Sequence, residues 1–188
     1  MTDRELLKFV DSYCVEDKPC FVAKIEAFRN KRPFKAAVEI AANGKEVGGT
    51  RNRHLHWLWS SSRKSLDEAV GILTKMTAKL NRCHNFEELH KLISDRVSSI
   101  KNIKKVYCYD VALRIGASRG FLPKKVYVHA APVKKAAREL NPDMVINSDE
   151  TVEVKTLPLA LHRLKAYEVE DFLCIFKKYL KKKMNSNK

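Results

Sequence analysis

Between residues 96 and 138 the chain carries eleven lysines and arginines and a single acid, Asp110, threaded through apolar residues. Ile100 and Ile103 bracket a short polar step, Lys101-Asn102. Beyond it Val106, Tyr109, Ala112/Leu113 and Gly116 recur at the spacing of one helix face. A basic tail has no such pattern, and a strand would alternate with a period of two. The stretch therefore reads as helix, tight turn, helix, with lysines at the turn. Backbone N–H groups at such a turn, beside Lys104 and Lys105, can hold a phosphate.

The rest of the chain sets the partner class. Lys and Arg number 37 against 22 Asp and Glu, a net charge of +15, while 45 % of the residues are hydrophobic. The hydrophobic share predicts a folded chain, and the charge favours a polyanion, nucleic acid before a membrane surface. The plain alternative is a basic protein with no polyanionic partner. The N-terminus, MTDRELLKF, lacks the apolar block of a signal peptide. No apolar run approaches the roughly 18 residues of a membrane span. Cys14, Cys20, Cys83, Cys108 and Cys174 are odd in number and include no C-x-x-C pair, which predicts free thiols in a reducing compartment and no structural zinc. The expectation is a cytoplasmic, monomeric protein that needs no cofactor or metal.

Taken in order, Thr2-Asp3-Arg4-Glu5 forms a capping box for a helix to about Tyr13, with Leu6, Phe9, Val10 and Tyr13 as its stripe. A second helix follows Asp17, with Pro19 in its first turn, and runs to about Asn30. A third spans Phe34 to Ala42, stopped by Asn43-Gly44. Ser65-Leu66-Asp67-Glu68 reads as a capping box for a helix to about Asn81 that buries Leu66, Ala69, Val70, Leu73, Met76 and Leu80. Asn85 caps the helix leading into the turn at 100–104, and Gly120 and Pro123 close the helix beyond it. Residues 126–131 read as a connection, since no partner strand is evident, although they alternate. Pro132 starts a helix to Leu140. Residues 143–156 read as loop with slight β character at Val152 and Val154. Leu157-Pro158 opens a short helix to about Lys165, and Glu168 opens the last, to about Met184, acidic at its start and lysine-rich at its end. The prediction is an all-α single domain of about nine helices in a two-lobed bundle, the turn-bearing lobe spanning about 85–140.

Residues 43–53 form a polar loop carrying Arg51 and Arg53 just ahead of both tryptophans, Trp57 and Trp59. Arginine beside aromatic rings can stack on or wedge between nucleobases, while the same tryptophans can equally anchor a core. His54 and His56 lack a third ligand at metal-site spacing.

From Ile100 to Leu140 the order helix, hairpin, helix, connection, helix resembles the core of the helix-hairpin-helix DNA glycosylases of base-excision repair. Ile100-Lys101-Asn102-Ile103-Lys104 stands where that family has Leu-Pro-Gly-Val/Ile-Gly. Both glycines are absent, though Asn102 can take a left-handed conformation. The family's catalytic lysine, where present, follows the hairpin, at or beside Lys104 and Lys105. Its Val-Asp-x-His matches Val126-Tyr127-Val128-His129, with the histidine kept and Tyr127 in place of the catalytic Asp. The resemblance covers residues 100–140 of 188. The pieces YDVALRIG and EVEDFLC also resemble an uncharacterised bacterial family, which implies no chemistry.

The resemblance implies a protein that binds double-stranded DNA, flips a damaged or modified base and cleaves its N-glycosidic bond, in repair or in defence against phage. Flipping is required because the bond is inaccessible in the stack. A carboxylate must stabilise the oxocarbenium-like sugar. Asp110 is the substitute for the missing Asp, with His129 orienting water or base and Lys105 as a lyase candidate. Lys101, Asn102, Lys104, Lys105, Arg114, Arg119, Lys124, Lys125 and Arg53 are the expected DNA contacts, and Trp57, Trp59, Tyr109 and Tyr127 the base pocket or wedge. Each has a structural alternative. Asp110 and Arg114 are spaced to pair along a helix, His129 can be a core histidine, and the terminal lysines can be a solvated face. A helix-hairpin-helix protein that binds DNA without chemistry, and a basic RNA-binding protein, are the alternatives.

Overall fold

The computed structural model describes residues 2–29, 33–47 and 63–185. Among them the protein is all-α, with nine α-helices and one two-stranded ribbon. The chain divides into two compact units, residues 22–122 and residues 1–21 with 123–188.

The first unit is built from the end of α2 (Lys18–Arg29), then α3 (Phe34–Ala42), α4 (Arg63–Lys75), α5 (Thr77–Leu80), α6 (Phe86–Val97) and α7 (Lys105–Ala117). Asn85 caps α6: its side chain accepts the Glu88 N–H at 2.8 Å, and the Glu88 carboxylate accepts the His84 N–H at 2.9 Å. α3 stops where expected, because Gly44 takes a φ of 63° that closes its last turn. α7 is the unit's central helix, buried from Tyr107 to Ala117 at every position but the half-buried Asp110. Such a helix is apolar on every side, as its run of Val111, Ala112, Leu113 and Ile115 requires. It packs on α6 and on α3, and the Tyr107 hydroxyl donates to the Ala42 carbonyl at 3.0 Å, tying it to the end of α3. Its own end is fixed by Gly120 at φ 75° and by the Phe121 N–H reaching back to the Gly116 carbonyl at 2.8 Å. A Cβ on Gly116 would sit 2.3 Å from the Phe121 carbonyl oxygen, so only glycine lets the chain fold back there.

One cap expected from sequence does not form. Ser65 is buried inside α4, which already includes Arg63, and the exposed Arg63–Asp67 pair lies along that helix. The apolar stripe that follows belongs to two helices. At Met76 the backbone opens (φ −91°, ψ 4°), and the Thr77 hydroxyl turns back onto the Thr74 carbonyl at 2.6 Å. This local competition for a backbone acceptor is how threonine weakens a helix.

The second unit holds α1 (Asp3–Glu16), β1 (Val126–Tyr127), α8 (Ala131–Leu140), β2 (Thr151–Val152), 3-10 turns at Val154–Thr156 and Leu159–Arg163, and α9 (Ala166–Asn185). The α1 capping box is formed on both sides. Its core joins Leu6, Val10 and Tyr13 of α1 to Val133 and Ala137 of α8 and Val169, Phe172 and Phe176 of α9. The stretch at 126–131 is not a mere connection: Val126 pairs with Val152 and Tyr127 with Thr151, antiparallel. Its partner is supplied by a turn over Asn147–Glu150, where Asp149 accepts from the Thr151 N–H and hydroxyl and Glu150 takes a φ of 58°. Val126 and Val128 then point into the core from one side of the ribbon. The segment after Leu157-Pro158 forms a 3-10 turn rather than an α-helix.

α9 begins with internal pairing. Glu168 is buried, accepts the Lys165 N–H at 2.9 Å and pairs with Lys18 at 3.1 Å. The buried Tyr13 hydroxyl donates to Asp171 at 3.0 Å. Burial and the neighbouring carboxylates push the Tyr13 pKa well above the usual tyrosine range.

Candidate nucleic-acid interface

The turn between α6 and α7 is compact. The Ile100 N–H donates to Val97, and the Ile103 N–H to Ile100 at 3.0 Å, closing a four-residue turn. Asn102 occupies its third position at φ 69°, the left-handed conformation that a type II turn requires and that asparagine tolerates. Ile100 and Ile103 are buried while Lys101, Asn102, Lys104 and Lys105 are exposed. The two isoleucines thus anchor the turn and leave its cationic tip in solvent.

The two helices flanking this turn start differently. α6 opens with Asn85 as cap and with Glu87 and Glu88 in its first turn. α7 opens at Lys104, which contributes no side-chain cap, and its first turn holds no acid. A helix start carries partial positive charge on its N–H groups. At α7 the flanking Lys104 and Lys105 add to that charge where α6 neutralises it. An anion, and a phosphate in particular, suits this end.

The remaining candidates are dispersed. Arg114 is only 5 % exposed, with its guanidinium carbon 6.0 Å from the centre of the Phe28 ring. Burial lowers its pKa, against the attraction of Asp110 and Glu46. It serves the interior of its unit and offers no surface to a phosphate. Arg119 is also engaged: it donates to the Asn81 carbonyl and side chain and lies over the Phe34 and Phe121 rings, at 5.7 and 5.3 Å. Tyr109, 1 % exposed, meets Phe86 and His90 edge-on, and Tyr127 is 4 % exposed with its ring against His129. Both tyrosines are packing residues and not exposed wedges. The sequence could not show this, because an aromatic at helical spacing reads the same in either role.

Asp110 is half-buried, one turn before Arg114, and His129 is half-buried in the other unit, beyond the ribbon. Lys105 is exposed, not in the desolvated setting that a nucleophilic lysine needs. Lys124 is exposed and Lys125 half-buried. Arg53, Trp57, Trp59, His54 and His56 lie outside the described residues. All five cysteines are free, and burial raises the pKa of the Cys83 and Cys108 thiols. Among the described residues no group of three or more His, Cys, Asp or Glu could hold a metal ion, and no helix is long and apolar enough to cross a membrane.

No protein-family model matches the chain, and neither does any curated protein or solved structure.

Proposed function

We propose that the protein binds duplex DNA through the α6–α7 turn and acts on it as a glycosylase, cleaving the N-glycosidic bond of a flipped base. The observation that carries this reading is the turn itself: a left-handed Asn102 between two buried isoleucines, four exposed polar residues, and an uncapped helix start flanked by lysines. Phosphate contacts of this kind position a duplex without reading its sequence. The chemistry rests on the resemblance and on Asp110. A carboxylate there would oppose the positive charge that develops on the sugar. His129 would orient water or the base. Damaged bases, or modified bases in phage DNA, are the substrates this reading implies.

The replacement of the family's Asp by Tyr127, and that residue's burial, favour a second reading: a helix-hairpin-helix protein that binds DNA and has no glycosylase chemistry. Two variants test the readings, and the second separates them. Lys104→Glu with Lys105→Glu is expected to abolish duplex binding under both. Asp110→Asn is expected to remove base release and leave binding intact under the first alone. Full duplex affinity in the double lysine variant would refute the turn as the binding element.

A further inference from the structure

The outer face of α8 is the feature outside this site that has the chemistry of a binding surface. Ala131, Lys134, Lys135, Arg138 and Glu139 line an open depression of about 360 Å3 in the second unit. They recur at the spacing of one helix face, opposite Val133, Ala136 and Ala137, which are buried in the core. Lys134 is held by Glu150 at 3.5 Å. Lys135 and Arg138 are exposed and make no ion pair among the described residues. Glu139 is the one acid on the rim.

We propose that this face of α8 is a second phosphate-contacting surface for DNA, with Lys135 and Arg138 as the contacts and Lys134 completing the stripe. The inference rests on the DNA reading above. From Lys134 to Arg138 the helix advances about 6 Å at about 1.5 Å per residue. One strand of B-DNA presents a phosphate about every 3.4 Å along its axis, so the stripe matches about two phosphates. A depression beside the cations gives a sugar-phosphate backbone a place to lie against. A membrane surface fits less well. An interfacial helix must insert an apolar face, and the apolar face of α8 is already buried in its own unit.

The test is the salt dependence of duplex affinity in three proteins: the unmodified chain, Lys135→Gln/Arg138→Gln, and Lys101→Gln/Lys104→Gln/Lys105→Gln. Anionic phosphatidylserine vesicles serve as a fourth arm. Both α8 positions are exposed, and a thermal melt confirms that the fold survives. Each lost phosphate contact lowers the slope of log affinity against log salt by about 0.9. The α8 variant is expected to lose about 1.8 from the slope, with weaker binding on every duplex sequence. An unchanged slope in that variant, while the turn variant loses affinity, would overturn this inference and leave the DNA reading standing. Absence of duplex binding by the unmodified chain would overturn both. Vesicle binding without duplex binding, lost in the α8 variant, would reassign the face to a lipid surface and overturn the proposal.

Discussion

Asn102 offers the sharpest test of how the turn is specified. Its φ of 69° is a conformation in which an L-residue loses about 1–2 kcal/mol relative to the right-handed region. Asparagine offsets part of this through local hydrogen bonding, whereas a β-branched side chain has no such means and meets its own backbone. Asn102→Val is therefore expected to destabilise the first unit by about 1–2 kcal/mol. Asn102→Gly removes the steric cost but gives the unfolded chain about 0.5–1 kcal/mol of added freedom, so the two nearly cancel. In urea unfolding, with a slope of about 2 kcal/mol per molar, the valine variant loses about 0.5–1 M from its midpoint and the glycine variant stays within about 0.3 M. Duplex affinity, measured well below the transition, follows the same order, since Lys101 and Lys104 flank the strained residue. A valine variant as stable as the original, with unchanged affinity, would refute the claim that this conformation builds the turn.

Three further outcomes follow from the packing. Gly116→Ala forces a Cβ to within 2.3 Å of the Phe121 carbonyl oxygen; it is expected to cost about 1–3 kcal/mol in urea unfolding, and a neutral result would contradict the close return of the chain there. Arg114→Met removes a buried guanidinium that Asp110 and Glu46 attract; stability is expected to fall, because those carboxylates lose their buried cation, and the salt slope of DNA binding to stay the same, in contrast to a surface arginine. Tyr13 and Tyr107 both have pKa values raised by burial. Their protons stay on in the folded state and leave the unfolded chain above about pH 10, so stability is full below that pH and falls as pH rises, by about 1.4 kcal/mol per unit for each tyrosine. Unfolding curves between pH 9 and 11 for the Tyr13→Phe variant should show a shallower decline, and an identical decline would contradict the assignment.

The helices were legible because their signals are local. Thr2 and Asn85 cap, Asn43-Gly44 and Gly120 stop, and apolar residues recur at helical spacing between them. The failures came from longer range. The ribbon at Val126 is only two residues long in each strand, and its partner is delivered by a turn whose Asp149 and Glu150 look like ordinary loop residues. Ser65-x-x-Glu68 satisfies the capping pattern, yet α4 already runs through Arg63. The tip of the turn was readable because Ile100 and Ile103 bracket its polar residues. Arg114 was not: its charge and its place in a basic stretch read as surface, while α7 buries every residue from Val111 to Ala117. The acceptor role of Asp171 was missed for the same reason, since the Tyr13 hydroxyl that it receives is 158 positions away in the chain.

The most direct test of the account is a count of abasic sites. The purified protein is incubated with plain genomic DNA and with phage DNA carrying modified bases, and aldehydes are labelled, with Asp110→Asn as control. The account predicts abasic sites on at least one DNA, made by the unmodified protein and lost in the Asp110 variant while duplex binding persists. Salt-sensitive binding with no abasic sites on either DNA would contradict the glycosylase and leave the non-catalytic binder.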